Sequence, residues 1–344
     1  MKIWLRINRL DISCSWTFVY NHLKEAFEQE GHEVYSDITK PPTDPEEYVE
    51  FWWTDPAVWS WSPLPTLFRV GYALSEAHSL LKAQKNAIIR NVACCDLLIC
   101  PTRFAATAFL EAPLDVPIEI VPFGVDPAVV YPVERVWDST VFRYLHMGVA
   151  QFRKGSYMVP EAFIKAFGSK AGVHLTISSF RSTEEGENLE KEYKSHPCIK
   201  FYNTCHSTPM SMYEGHHVLV SPHLSEGFGL CVPEAMATGM ACLVARHSAP
   251  LEFFSSKYGW WIKMSEDYVP VSKALTDTPG FWRLPDIESL VELYRYTFAH
   301  RQECKGKGEA ASSYVLQNLT WRQTAAKIVD VIQRYCTVQV STWK

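Results

Sequence analysis

Residues 218–245 read VLVSPHLSEGFGLCVPEAMATGMACLVA, and the order of residue types in this stretch decides the fold class. VLVSP is a short β-branched apolar run, read as a buried strand. S-E-G-F-G follows as a glycine-bearing loop at the strand's carboxyl end. Pro233 stands near a helix start, where its missing N–H costs little. EAMAT is a helix of good formers, Gly239 stops it, and ACLVA is the next strand. A glycine-rich loop that opens a helix presents N–H groups and a positive dipole end to an anion. Gly227 and Gly229 let the backbone approach a phosphate closely. Glu226 and Glu234 flank the loop, one before the helix and one in its first turn, so they address different parts of an elongated ligand. A carboxylate is repelled by a phosphate, so each is read as an acceptor for sugar hydroxyls. Acids at a helix start also occur for purely structural reasons, so it is the whole strand–loop–helix–strand combination that points to a site.

Working outward, the same alternation recurs on both sides. Toward the amino terminus, MKIWLRI, HEVYS, YVEFWW, LFRVGYAL, DLLICP and IEIVP read as strands. Between them lie an amphipathic helix over SWTFVYNHLKEAFEQEGHEV, stopped by Gly31, a helix from Ser75 to about Val92, and a helix over TRFAATAFLEA. FGVDPAVVYPVERVWD is irregular and proline-bearing, and reads as a linker. After it come FRYLHMG, VHLTIS, CIKFY and HHVLVSP as strands, with helices over MVPEAFIKAF and ENLEKEYK. Strands alternating with helices imply parallel sheets covered on both faces. Two such units in succession imply two domains, with a boundary near 135.

Composition narrows the function. The 344 residues are 47% hydrophobic and 21% charged, which excludes a disordered, collagen-like or coiled-coil chain. No apolar run approaches the ~20 residues of a membrane-spanning helix, and no signal peptide is read at the start. Ten cysteines without a CxxC are read as free thiols in a reducing cytoplasm. The absence of D-x-D, H-E-x-x-H, a P-loop and G-x-S-x-G sets aside several metal-dependent and hydrolytic chemistries. His216 and His217 are adjacent in a strand and face opposite ways, so they are not read as sharing a metal. A glycosidase pair is disfavoured because the field at a helix start keeps a carboxylate ionised.

SEGFGLCVPEAMATGMACLVA resembles the C-terminal motif of retaining glycosyltransferases of family 4, with its E-x7-E pair. RYLHMGVAQFRKGSYMVPEAF is similar to that family's strand–loop–helix with its basic pair before glycine. IEIVPFGVDPAVVYP is similar to its inter-domain segment, and CDLLICPTRFAATAF and TWRQTAAKIVDVI extend the likeness to roughly residues 67–335. The resemblance implies an α/β GT-B architecture: two Rossmann-like doubly wound domains facing a central cleft, with a last helix over 321–344 crossing back to the first. It implies that the second domain holds a nucleotide-diphosphate sugar, UDP- or GDP-linked, as co-substrate, with no cofactor and no metal. By the same resemblance Glu234 would hold the ribose and Glu226 the donor sugar's hydroxyls. Gly227, Phe228, Gly229 and Leu230 would line the sugar and diphosphate, and Arg153 and Lys154 would neutralise the leaving diphosphate.

Two positions depart from the family. Val149 stands where many relatives carry Arg, and the loop RLDISCSW after the first strand lacks glycine. Glu76 and His78 are the acceptor-side candidates in the first domain. Residues 1–135 hold 11 Lys and Arg against 18 Asp and Glu, a net of −7, whereas the remainder nets +2. A duplex-binding surface needs clustered cations. A small-molecule, glycan or lipid-linked hydroxyl is therefore the expected acceptor. The alternatives are a transferase acting on hydroxymethylated bases of DNA, for which Lys82 and Lys85 on one helix face with Arg90 and Arg103 would serve, and a non-catalytic nucleotide-sugar binding protein.

Overall fold

The computed structural model describes residues 1–8, 15–36, 40–80, 84–179, 183–202, 210–270 and 281–342. Most of the glycine-free first loop, and Leu81 and Lys82 of the expected second helix, lie outside the described residues. The chain forms two compact units, one built from Met1–Gly124 and Leu319–Lys344, the other from Val125–Val269 and Trp282–Asn318.

The first unit contains strands β1 (Lys2–Arg6), β2 (Glu33–Tyr35), β3 (Tyr48–Trp53), β4 (Phe68–Tyr72), β5 (Leu97–Cys100) and β6 (Ile118–Ile120). They form one parallel sheet in the order β2-β1-β3-β4-β5-β6. Helix α1 (Ser15–Gln29) buries Val19, Leu23, Ala26 and Phe27, the one-sided spacing of an amphipathic helix. Phe27 meets Phe51 of β3 edge-on at 5.7 Å. Gly31 ends the helix in the left-handed region, φ +80°. Helices α2 (Lys85–Val92) and α3 (Arg103–Leu110) contribute Ile88, Val92, Ala106 and Phe109 to a cluster with Trp52 and Leu98.

The expected helix from Ser75 is shorter than the sequence predicts. Residues 75–80 are irregular, and α2 begins only at Lys85. Ser75 Oγ accepts the Ala77 N–H at 3.2 Å and donates to the Ala77 carbonyl at 2.8 Å, a local alternative to helical bonding. Glu76 and His78 therefore lie in a loop beyond the carboxyl end of β4.

The second unit contains strands β7 (Phe142–Met147), β8 (Val173–Ser178), β9 (Ile199–Tyr202), β10 (Val218–Ser221), β11 (Ala241–Ala245) and β12 (Gly259–Ile262). Their parallel order is β12-β11-β10-β7-β8-β9. The helices are α4 (Met158–Phe167), α5 (Glu184–Tyr193), α6 (Met210–Glu214), α7 (Cys231–Ala237), α8 (Ile287–Ala299) and α9 (Arg301–Asn318). Tyr144 of β7 is fully buried and donates to the Tyr294 carbonyl of α8 at 2.8 Å. A two-stranded ribbon, β13 (Met264–Pro270) with β14 (Phe281–Pro285), completes the strands.

Helix α10 (Trp321–Thr342) belongs to the first unit and packs on α1, burying Ala325, Ile328, Val329 and Ile332. Gly124 is where the chain leaves that unit. A Cβ there would stand 2.2 Å from the backbone of Thr320 and Trp321. Residues 125–135, which the sequence groups with the first domain, are tied to the second unit by Arg135. Its guanidinium donates to the carbonyls of Tyr213 (3.1 Å), His216 (2.6 Å) and Thr238, and to Thr238 Oγ1 (2.9 Å). No helix among the described residues is long and apolar enough to cross a membrane.

Candidate active site

In the second sheet the chain order reverses between β7 and β10: β8 and β9 lie on one side, β11 and β12 on the other. The loops leaving the carboxyl ends of β7 and β10 diverge there, and a crevice opens that is the usual ligand position in open α/β sheets. Residues 148–155 leave β7 and residues 222–230 leave β10. The Leu224 N–H donates to the Arg153 carbonyl at 2.8 Å and joins the two loops. Gly155 makes that junction possible, since its φ is +68° and an added Cβ would stand 2.0 Å from the Pro222 carbonyl oxygen. Beneath it, His146 of β7 spans to the Val220 carbonyl at 2.8 Å and to Ser156 Oγ at 2.9 Å. Burial lowers its pKa to about 4, so this histidine is a neutral strut.

Glu226, Arg153 and Lys154 come together here. Glu226 is 4% exposed. Lys154 Nζ pairs with its Oε1, and Arg153 Nη1 lies 3.3 Å from Oε2 and donates to the Ser225 carbonyl at 2.7 Å. Burial pushes the Glu226 carboxyl up, but the Lys154 and Arg153 charges outweigh it and hold the group at about 2. Two cations against one carboxylate leave a net positive charge at the loop junction. His223, fully buried nearby, meets the His247 carbonyl through Nε2 at 3.1 Å, and burial lowers its pKa.

Glu234 sits in a different environment. It is the fourth residue of α7, 6% exposed, and accepts the Tyr213 hydroxyl of α6 at 2.7 Å. Burial raises its pKa to about 7, with the Tyr213 hydrogen bond opposing the rise. The expectation of an ionised carboxyl held by the helix start is thus corrected: burial outweighs the helix field at this position. The two glutamates titrate far apart because two cations outweigh burial at Glu226, whereas burial prevails at Glu234.

The loop between them is shaped by packing as well as by glycine. Gly229 has φ +86°, and Phe228 is buried against Phe253 with ring centroids 5.0 Å apart. Gly227 is buried with them, and Leu230 is half-buried at the mouth of α7. Glu76 and His78 stand in the first unit; His78 is exposed and edge-on to Phe104 at 5.0 Å. His216 and His217 make separate contacts. His216 bonds the Met212 carbonyl and Thr176 Oγ1, whereas His217 bonds the Arg143 N–H and the Val136 carbonyl. Sequence reading missed Tyr213 and Ser248, whose partners lie more than twenty residues away. It also missed His223, although a histidine directly after Ser-Pro at a strand's carboxyl end was a visible signal.

Residues 137–276 match the family described as Glycosyl transferases group 1. No curated protein sequence matches the chain. Its fold is similar to sucrose-phosphate synthase from Thermosynechococcus elongatus, with 14% identity, coverage of 98% of this chain and 99% of that one, and a TM-score of 0.70. It is similar to Anabaena HepE, solved with UDP and glucose, at 13% identity over 97% of this chain and 100% of that one, TM-score 0.71. It is also similar to WaaG, a glycosyltransferase involved in lipopolysaccharide biosynthesis, at 14% identity over 96% and 99% of the two chains, TM-score 0.63. The two parallel six-stranded sheets are those of the GT-B fold, and residues 137–276, almost all of them in the second unit, match the glycosyl transferases group 1 domain.

Proposed function

We propose that this enzyme moves a glycosyl group from a nucleotide-diphosphate donor, UDP- or GDP-linked, to an acceptor hydroxyl, with retention of anomeric configuration and without a divalent metal. The observation that carries the reading is the buried Glu226 held between Lys154 and Arg153 at the reversal point of the second sheet. In this reading Arg153 and Lys154 meet the diphosphate. As the bond from the sugar's anomeric carbon breaks, the diphosphate leaves with the electron pair, and preorganised cations stabilise the charge it gains. Glu226 accepts hydrogen bonds from the donor sugar. The backbone of Gly227, Phe228, Gly229 and Leu230 lines the sugar and phosphate. Glu234, steered by Tyr213, takes the ribose hydroxyls. The HepE structures with UDP and with UDP-glucose favour uridine among the nucleotides to test first.

The first unit is proposed to take the acceptor, with Glu76 and His78 beyond the carboxyl end of β4 as its candidates. The excess of acidic residues in 1–135 favours a small-molecule, glycan or lipid-linked hydroxyl over DNA. Free thiols at all eight described cysteines fit the reducing cytoplasm as the compartment. The test is turnover of a nucleotide sugar with and without a chelator, with NMR of the earliest product. An unchanged rate and the donor's own anomer are expected. Inversion, or a strict metal requirement, contradicts the reading.

A further inference from the structure

Ser248 follows β11, and its backbone lies at φ +59°, ψ −148°, the one non-glycine residue with positive φ among the described residues. That region is almost the preserve of glycine, since a Cβ there crowds the neighbouring carbonyl oxygens. A side chain kept in such a place needs a reason, and the hydrogen bonds supply one. Ser248 Oγ accepts the Glu226 N–H at 2.9 Å and donates to the His247 carbonyl at 2.8 Å. The next residue returns the grip, the Ala249 N–H donating to the Glu226 carbonyl at 3.2 Å. Both backbone groups of Glu226 are therefore held by a two-residue strap at the carboxyl end of β11. Ser248 and Glu226 are each 4% exposed.

We infer that Ser248 is a positioning residue for Glu226: its hydroxyl fixes the Glu226 backbone so that the carboxylate stays aimed between Lys154 and Arg153, and the strained conformation is retained for that hydroxyl. The inference rests on the reading of Glu226 as the group that holds the donor sugar. In this reading Ser248 acts through the Glu226 backbone that it holds. Removing the hydroxyl leaves the Glu226 N–H without its partner in a buried loop, and the carboxylate loses its fixed origin.

Two variants separate the hydroxyl from the strain. Ser248→Ala removes the hydroxyl and keeps a Cβ at positive φ; Ser248→Gly removes both. With UDP-glucose or GDP-mannose, whichever wild type turns over faster, each variant is expected to lose roughly tenfold in kcat. Affinity for the free nucleotide should hold, and Ser248→Gly should melt at a higher temperature than Ser248→Ala. Added to Glu226→Gln, either substitution should cost nothing further, because the two residues act as one unit. Wild-type kcat in Ser248→Gly beside an impaired Glu226→Gln overturns this inference and leaves the role of Glu226 standing. A fully active Glu226→Gln overturns both. A parallel fall in nucleotide affinity, or additive losses in the double variant, reduces Ser248 to general scaffolding.

Discussion

The Tyr213 hydroxyl donates to Glu234 Oε2 across 2.7 Å, and among the described residues no lysine or arginine pairs with that carboxylate. Glu226, eight residues earlier, faces two cations instead. The same side-chain type is thereby held in two different charge states. Glu226 stays charged throughout the neutral range, whereas Glu234 changes charge near pH 7.

That difference has a pH signature. Glu234 is raised from 4.5 to about 7 in the folded chain. Between those values the folded state keeps a proton that the unfolded state has released, so stability is fully present below 4.5 and falls as pH rises through 7. The loss is on the order of 3 kcal/mol for a shift of this size. Glu234→Gln removes the dependence. Melting curves from pH 5 to pH 8 should show wild type losing Tm relative to the Gln variant; parallel profiles would count against the buried, protonated carboxyl.

Glu226 behaves with the opposite sign. Its carboxyl is held low, so its contribution is present above 4.5 and lost as pH falls toward 2. Glu226→Ala removes the carboxylate that Arg153 and Lys154 share, and their side chains are only 12% and 20% exposed. A cost of about 1–3 kcal/mol is expected at pH 7, partly screened by solvent, and it should shrink in high salt. A stability unchanged at low salt would show that the triad is not a coupled group.

Gly155→Ala tests the loop junction. The substitution places a Cβ at positive φ and 2.0 Å from the Pro222 oxygen, which is backbone and has little room to yield. A cost of about 2 kcal/mol or more is expected, or a Tm lower by several degrees, with transferase activity falling beside it. A neutral Gly155→Ala would mean that the β7 and β10 loops are not locked together.

Truncation after Thr320 removes α10 and uncovers the α1 face that Ala325, Ile328, Val329 and Ile332 cover. At ~1.5–3 kcal/mol for each large buried side chain, the loss approaches the whole stability of an ordinary domain. The shortened chain should melt far below the full one or fail to fold. Equal melting temperatures would contradict the packing of α10 on the first unit.

Much of this molecule was legible in its sequence, for identifiable reasons. Val173–Ser178, Ala241–Ala245 and Met158–Phe167 are bounded by turn residues and carry a clean period, so their limits read correctly. Glu226 and Glu234 were visible because glycine, proline and acid sit at fixed offsets around one loop. The second helix was overextended because Ser75 closes a local turn that periodicity does not register. Residues 246–318, which contain β12, α8 and α9, went unread. The polar and glycine-bearing α9 shows little one-sided patterning, although it buries Cys304, Ala311 and Val315. The charge state of Glu234 could not be read from its place at a helix start, because it depends on burial and on Tyr213, brought near by the fold.

The division of labour between the two glutamates is tested most directly by titration calorimetry of UDP and GDP into wild type, Glu226→Gln and Glu234→Ala. At pH 8, where Glu234 is mostly ionised, the nucleotide that binds wild type should bind Glu226→Gln about as well, and it should bind Glu234→Ala roughly 10- to 100-fold more weakly, the loss of a hydrogen bond to a charged acceptor. Equal nucleotide affinity in Glu234→Ala and wild type would contradict the account.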